Sequence, residues 1–119
     1  MAMITTLYGI KNCDTVKKAR KFLDNNNIDY RFHDFRQDGT SAELIEHWCQ
    51  LTDWQNLLNK RSRTYRELPE ATKNTMSADS IINLVCQQPT LVKRPVLNHQ
   101  GQLYIGYSDK NYQEIFSHA

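Results

Sequence analysis

Met3-Ile4-Thr5-Thr6-Leu7-Tyr8-Gly9-Ile10-Lys11-Asn12-Cys13-Asp14-Thr15-Val16-Lys17-Lys18-Ala19-Arg20 is the stretch whose reading decides the fold. Met3 to Tyr8 is apolar and β-branched and stops at Gly9, which predicts a buried strand. Gly9 to Cys13 is a short loop. From Asp14 the period becomes helical: Val16, Ala19 and Leu23 fall on one face, and Lys17, Lys18, Arg20 and Lys21 largely on the other. Asn25-Asn26-Asn27 ends this helix, because asparagine tolerates a left-handed backbone and competes for its hydrogen bonds. Tyr30 to Phe35 then reads as a second strand. Strand, helix and strand in this order form a βαβ unit with parallel pairing.

Outward from this unit the chain turns helical. Thr40-Ser41-Ala42-Glu43 has the form of a capping box led by Thr40, with Leu44, Trp48 and Leu51 at helical spacing behind it. Thr52-Asp53-Trp54-Gln55 repeats the pattern for a short helix bearing Leu57 and Leu58. A third helix starts at Ser77, with Met76 stapled onto Ile81, carries Ile81, Leu84 and Val85, and ends before Pro89. Leu91 to Asn98 predicts a third strand interrupted by Pro95, and Leu103-Tyr104-Ile105 a fourth, joined by a turn around Gly101. Ser108 caps a last helix with Tyr112, Ile115 and Phe116 inward. The expected class is α/β: one domain over residues 1–119 with a thioredoxin-like fold, in the order β-α-β … β-β-α, and a helical insert at about residues 40–88.

Composition limits the function. In 119 residues, 39% are hydrophobic and 24% charged, enough apolar material for one core and too much for a disordered chain. A net charge of +2 gives no bulk electrostatic case for nucleic acid or anionic membrane. The start of the chain lacks a basic, then apolar, signal pattern, and no stretch is long enough to cross a bilayer, so the cytoplasm is the expected compartment. Cys13, Cys49 and Cys86, odd in number and widely spaced, are expected to be free thiols in a reducing compartment. No Cys-x-x-Cys pair and no metal-ligand spacing is present, so no resident metal or cofactor is expected.

Chemistry concentrates at Cys13. Thiolate is the nucleophilic form of cysteine, and the free N–H groups and dipole of a first helical turn favour negative charge. Lys11 and the basic residues of the helix add positive charge. Elsewhere a lone cysteine is a small core residue, the reading given to Cys49 and Cys86 inside their helices. Between strand end and helix start, Cys13 reads as reactive. Lys60-Arg61-Ser62-Arg63-Thr64-Tyr65-Arg66 reads equally as an oxyanion or carboxylate site and as a solvated loop. In Lys93-Arg94-Pro95-Val96 the proline marks an edge, a bulge or a cis bond; a cis-proline opening the third strand would put Arg94 within reach of Cys13 or its substrate. His33, His47, His99 and His118 receive no role.

Tyr8-Gly9-Ile10-Lys11-Asn12-Cys13-Asp14-Thr15 with Lys17-Lys18-Ala19-Arg20 closely resembles the YffB branch of the arsenate reductase (ArsC) family, which also contains the Spx regulators. Leu57-Leu58-Asn59-Lys60-Arg61 and Lys93-Arg94-Pro95-Val96 resemble its other two motifs, so the resemblance runs from about Met3 to Phe116. It implies a thioredoxin-like fold with a helical insert. It matches Cys13 to the family's nucleophile and Arg94 to its oxyanion-binding arginine. Arsenate reductases of the family carry a histidine where this chain has Gly9, an arginine where it has Asn59, and a further arginine near Gly106. The implied activity is therefore a glutathione-dependent thiol-disulfide reductase. Lys11, Asn12, Arg61 and Arg94 hold the substrate or oxyanion, Pro95 shapes the site, and glutathione is co-substrate, with glutaredoxin a candidate partner. The expected state is a monomer. The alternatives are a genuine arsenate reductase coupled to glutaredoxin and a non-enzymatic, Spx-like regulator binding RNA polymerase. Spx proteins sense oxidants through a Cys-x-x-Cys whose first position is Ile10 here.

Overall fold

A computed structural model describes residues 5–117. Its elements are β1 (Thr6–Gly9), α1 (Asp14–Asn25), β2 (Arg31–Asp34), α2 (Phe35–Asp38), α3 (Ala42–Leu51), α4 (Trp54–Leu57), α5 (Arg63–Arg66), α6 (Glu70–Asn74), α7 (Ala78–Gln87), a 3-10 turn (Pro89–Leu91), β3 (Val96–His99), β4 (Gln102–Ile105) and α8 (Asp109–Ser117). The chain forms two compact units: the described residues up to Gln37 with those from Arg94 onward, and Asp38–Lys93.

The first unit carries a four-stranded sheet in the order β2-β1-β3-β4. β1 and β2 are parallel, as a βαβ unit requires, with Thr6 opposite Arg31 and Gly9 opposite Asp34. β3 runs antiparallel to β1, with Tyr8 opposite Val96, and β4 antiparallel to β3. The β3–β4 turn is Gln100-Gly101 with φ of 51° and 78°, the paired positive values that match hairpin twist. Leu7, Leu97, Ala19 and Leu23 are fully buried, and with Tyr112 of α8 they form the core of this unit, joined by Phe22, Phe32, Tyr104 and Phe116. Successive side chains of a strand alternate faces, so Leu7, Leu97 and Tyr104, paired in register, meet α1 and α8 on one face. After α1, Asn27 has φ 57°; its N–H donates to the Asp24 carbonyl and that of Ile28 to the Leu23 carbonyl, the left-handed ending the asparagine run foretold. The mixed α/β class and its thioredoxin-like arrangement are thus present. Met3 and Ile4 of the expected first strand, and His118, lie outside the described residues.

The second unit is held by α3 against α7, with Ile45, Trp48, Ile81 and Val85 fully buried. Two caps fall one residue later than the sequence reading. Ser41, not Thr40, accepts the N–H of Leu44, and Asp53, not Thr52, accepts that of Gln55. In each pair the second residue stands at the N-cap, where its oxygen reaches N–H groups of the first turn. Ser77 caps α7 as expected, reciprocally with Ser80. The basic stretch is not a continuous loop: Ser62 caps α5, and Arg63 pairs with Glu67 across one turn. The expected strand from Leu91 is shorter, because Leu91 closes the 3-10 turn and Val92 bridges Leu58, leaving β3 to begin at Val96.

Candidate active site

The C-terminal ends of β1, β2 and β4 share one end of the sheet with the N-terminal start of β3, as the parallel and antiparallel pairings require. Parts of two of the sequence motifs lie there, the Ile10–Cys13 loop after β1 and the Arg94-Pro95 step into β3, together with Gly106 after β4. The Arg94–Pro95 peptide bond is cis. Pro95 is buried, and its carbonyl accepts the N–H of Gly106 at 2.8 Å, tying the entry of β3 to the exit of β4.

Cys13 is the N-cap of α1, with φ −85° and ψ 127°, and its side chain makes no cap hydrogen bond. Its N–H donates to the Ile10 carbonyl at 3.1 Å, closing the loop, and its carbonyl accepts the N–H of Lys17 at 2.9 Å. The sulfur therefore stands at the open, positive end of a twelve-residue helix. Cys13 is half-buried, while Lys11 and Asn12 beside it are exposed. One basic residue of the helix is committed elsewhere: the Arg20 guanidinium lies 4.2 Å over the Phe32 ring and its Nε–H donates to the Tyr30 hydroxyl. Arg20 is seven residues on, about 10 Å along the axis, too far to set the charge at Cys13.

Arg94 is the more telling partner. Its Nε and one terminal guanidinium nitrogen are buried, and neither has a hydrogen-bond partner among the described residues. A guanidinium stays charged in any protein, and an unmet buried N–H of this kind costs about 1–3 kcal/mol. An anion delivered to this end of the sheet would remove that cost.

Asp34, which the sequence reading passed over, lies opposite Gly9 at the same sheet end and is buried; its carboxylate accepts the N–H of Arg36 at 2.8 Å. The only signal was a carboxylate closing an otherwise mixed apolar strand. Tyr8 precedes Gly9, and burial pushes its phenol up despite a hydrogen bond with Thr6.

Arg61 belongs to the second unit, where it is exposed and its N–H donates to the Asn59 side-chain oxygen. Cys49 and Cys86 are also there, on α3 and α7, half-buried, and all three cysteines are free. Burial pushes both thiols up, and Asp53 and Glu46 add to the effect at Cys49. Among the described residues no cluster of His, Cys, Asp and Glu could hold a metal ion, and no helix is long and apolar enough to cross a membrane.

Comparison with known proteins agrees with this fold. A solved YffB protein is 40% identical, covering 92% of this chain and 96% of its own, with a TM-score of 0.87. An arsenate reductase (ArsC) related protein from Brucella melitensis is 42% identical, covering 98% of this chain and 97% of its own, with a TM-score of 0.77. The global transcriptional regulator Spx of Lactiplantibacillus plantarum is 26% identical over 105 residues, 87% of this chain and 79% of its own. The ArsC family matches residues 8–115, and the chain belongs to that family.

Proposed function

We propose that this arsenate reductase-related protein is a glutathione-dependent thiol-disulfide reductase with the Cys13 thiolate as nucleophile. The observation that carries the reading is the placement, at one sheet end, of a cysteine at an open helix N-terminus and a half-buried arginine whose Nε and one terminal nitrogen are buried without a hydrogen-bond partner among the described residues. In the first step the Cys13 sulfur attacks the glutathione sulfur of a mixed disulfide. A Cys13–glutathione disulfide forms, the original S–S bond breaks, and the substrate leaves as thiolate and takes up a proton. In the second step the thiolate of free glutathione attacks the glutathione sulfur of that adduct, giving glutathione disulfide and restoring the Cys13 thiolate. Arg94 holds a glutathione carboxylate and offsets its own desolvation, with Lys11 and Asn12 at the rim. The cytoplasm, where reduced glutathione is abundant and thiols stay free, is the compartment this chemistry needs.

Arsenate is the less favoured substrate, since Gly9, Asn59 and Gly106 supply no cation where the family's arsenate reductases have one. The similarity to Spx regulators favours a second reading, a protein-binding module without turnover. Steady-state assay of a glutathione mixed disulfide, with arsenate in parallel, separates the three. Turnover of the mixed disulfide that Cys13→Ser abolishes supports the reductase. Arsenite release identifies an arsenate reductase, and no turnover of either substrate leaves the binding module.

A further inference from the structure

In the β3–β4 hairpin, His99 and Gln102 flank the two-residue turn, Leu97 lies opposite Tyr104, and the N–H of Gly106 reaches the Pro95 carbonyl. Hydrogen-bonded and non-hydrogen-bonded pairs alternate along an antiparallel ladder. Leu103 and Ile105 therefore occupy the non-bonded positions, and their N–H and C=O groups point away from β3. β4 is the edge of the sheet among the described residues. Edge strands are ordinarily blunted by lysine, proline or a bulge, and Gln102-Leu103-Tyr104-Ile105 has none of these.

A cavity of about 620 Å³ lies along this edge, between β4 and α8, a size that suits a specific ligand. Leu103 and Ile105 line it, with the carboxamides of Gln100, Gln102 and Asn111. Tyr112 lines it too; this residue is 1% exposed, and its buried hydroxyl has no hydrogen-bond partner among the described residues. Carboxamides and free strand edges both donate and accept, as a peptide backbone does. Lysine and arginine are absent from the lining, Glu114 is its carboxylate, and burial pushes His99 down toward the neutral form.

We propose that this groove binds an extended polypeptide of neutral or basic character, which adds a strand to β4 by pairing with Leu103 and Ile105. Donor and acceptor chemistry selects a backbone, and Glu114 without a cation disfavours an acidic strand. The groove starts at Gly106, which is bonded to Pro95, and so extends away from the cysteine end of the sheet.

The test uses the full chain, labelled with nitrogen-15, and an end-blocked octapeptide of alternating valine and threonine ended by lysine. Expected results are slowed hydrogen exchange and shifted amide signals at Leu103 and Ile105, with binding at least about tenfold weaker when alternate peptide amides are N-methylated. Replacing the lysine by glutamate weakens binding. Leu103→Pro, which deletes one outward N–H and none of the ladder, abolishes it while circular dichroism stays unchanged. Equal binding of the N-methylated peptide, or shifts confined to other elements, overturns the proposal. So does self-association that protects the same two amides without peptide, since the occupant is then a second copy.

Discussion

A Cβ placed on Gly9 would lie 2.7 Å from Cγ2 of Val16, closer than real side chains allow. The first turn of α1 rests directly on the end of β1, and this contact holds Cys13 over the sheet end. Gly9→Ala is expected to cost about 1–3 kcal/mol through overpacking. Since the close atoms are the Val16 methyls, Val16→Ala should relieve much of that cost. Urea unfolding of the two single variants and the double variant checks this as a non-additive cycle.

Arg94 should weaken the free protein and serve the bound one. Arg94→Met removes a half-buried guanidinium with two buried nitrogens that lack partners among the described residues, so Tm should hold or rise. Turnover should fall by about two orders of magnitude, in the range seen when an anion-stabilising donor is lost. Saturating glutathione should raise the Tm of the wild type and not that of the variant, as differential scanning fluorimetry will show.

Cys49 and Cys86 should resist alkylation. Burial raises both thiols above their ordinary value, so their iodoacetamide profiles should lie at higher pH than that of a free thiol. Cys49 carries the added repulsion of Asp53 and Glu46, and Asp53→Asn should move its profile back down. Peptide mapping after a brief pulse at neutral pH should find the label first on Cys13.

Alkali should unfold the chain through two phenols of the last helix and its approach. Burial and the hydrogen bond to Asp109 push Tyr107 up to about 12, and burial beside Tyr107 pushes Tyr112 higher still. A folded value above the ordinary 10.0 means the unfolded chain releases these protons first. Their contribution is whole below pH 10; that of Tyr107 is lost as pH climbs through about 12, and that of Tyr112 at higher pH. In an ultraviolet titration, these two of the six tyrosines should ionise last.

The parts legible in the sequence were those set by local periodicity. Val16, Ala19 and Leu23 drew α1, its start placed Cys13, and Asn27 closed it. Caps slipped by a residue because Thr40-Ser41 and Thr52-Asp53 each offer two suitable oxygens, and only the backbone turn decides between them. α5 and α6 are too short to show a period. Val92 looks like strand material, yet its partner is Leu58, a pairing no local pattern announces. Motif resemblance drew attention to Arg94, but its unmet nitrogens arise from tertiary burial, as does the buried setting of Asp34.

The most direct measurement is mass spectrometry of the chain after brief exposure to a glutathione mixed disulfide, quenched with acid and mapped by peptide. One glutathione adduct is expected, on Cys13, that free glutathione discharges and that Cys13→Ser never forms. An adduct on Cys49 or Cys86 with Cys13 unmodified, or undiminished turnover by the serine variant, would contradict it.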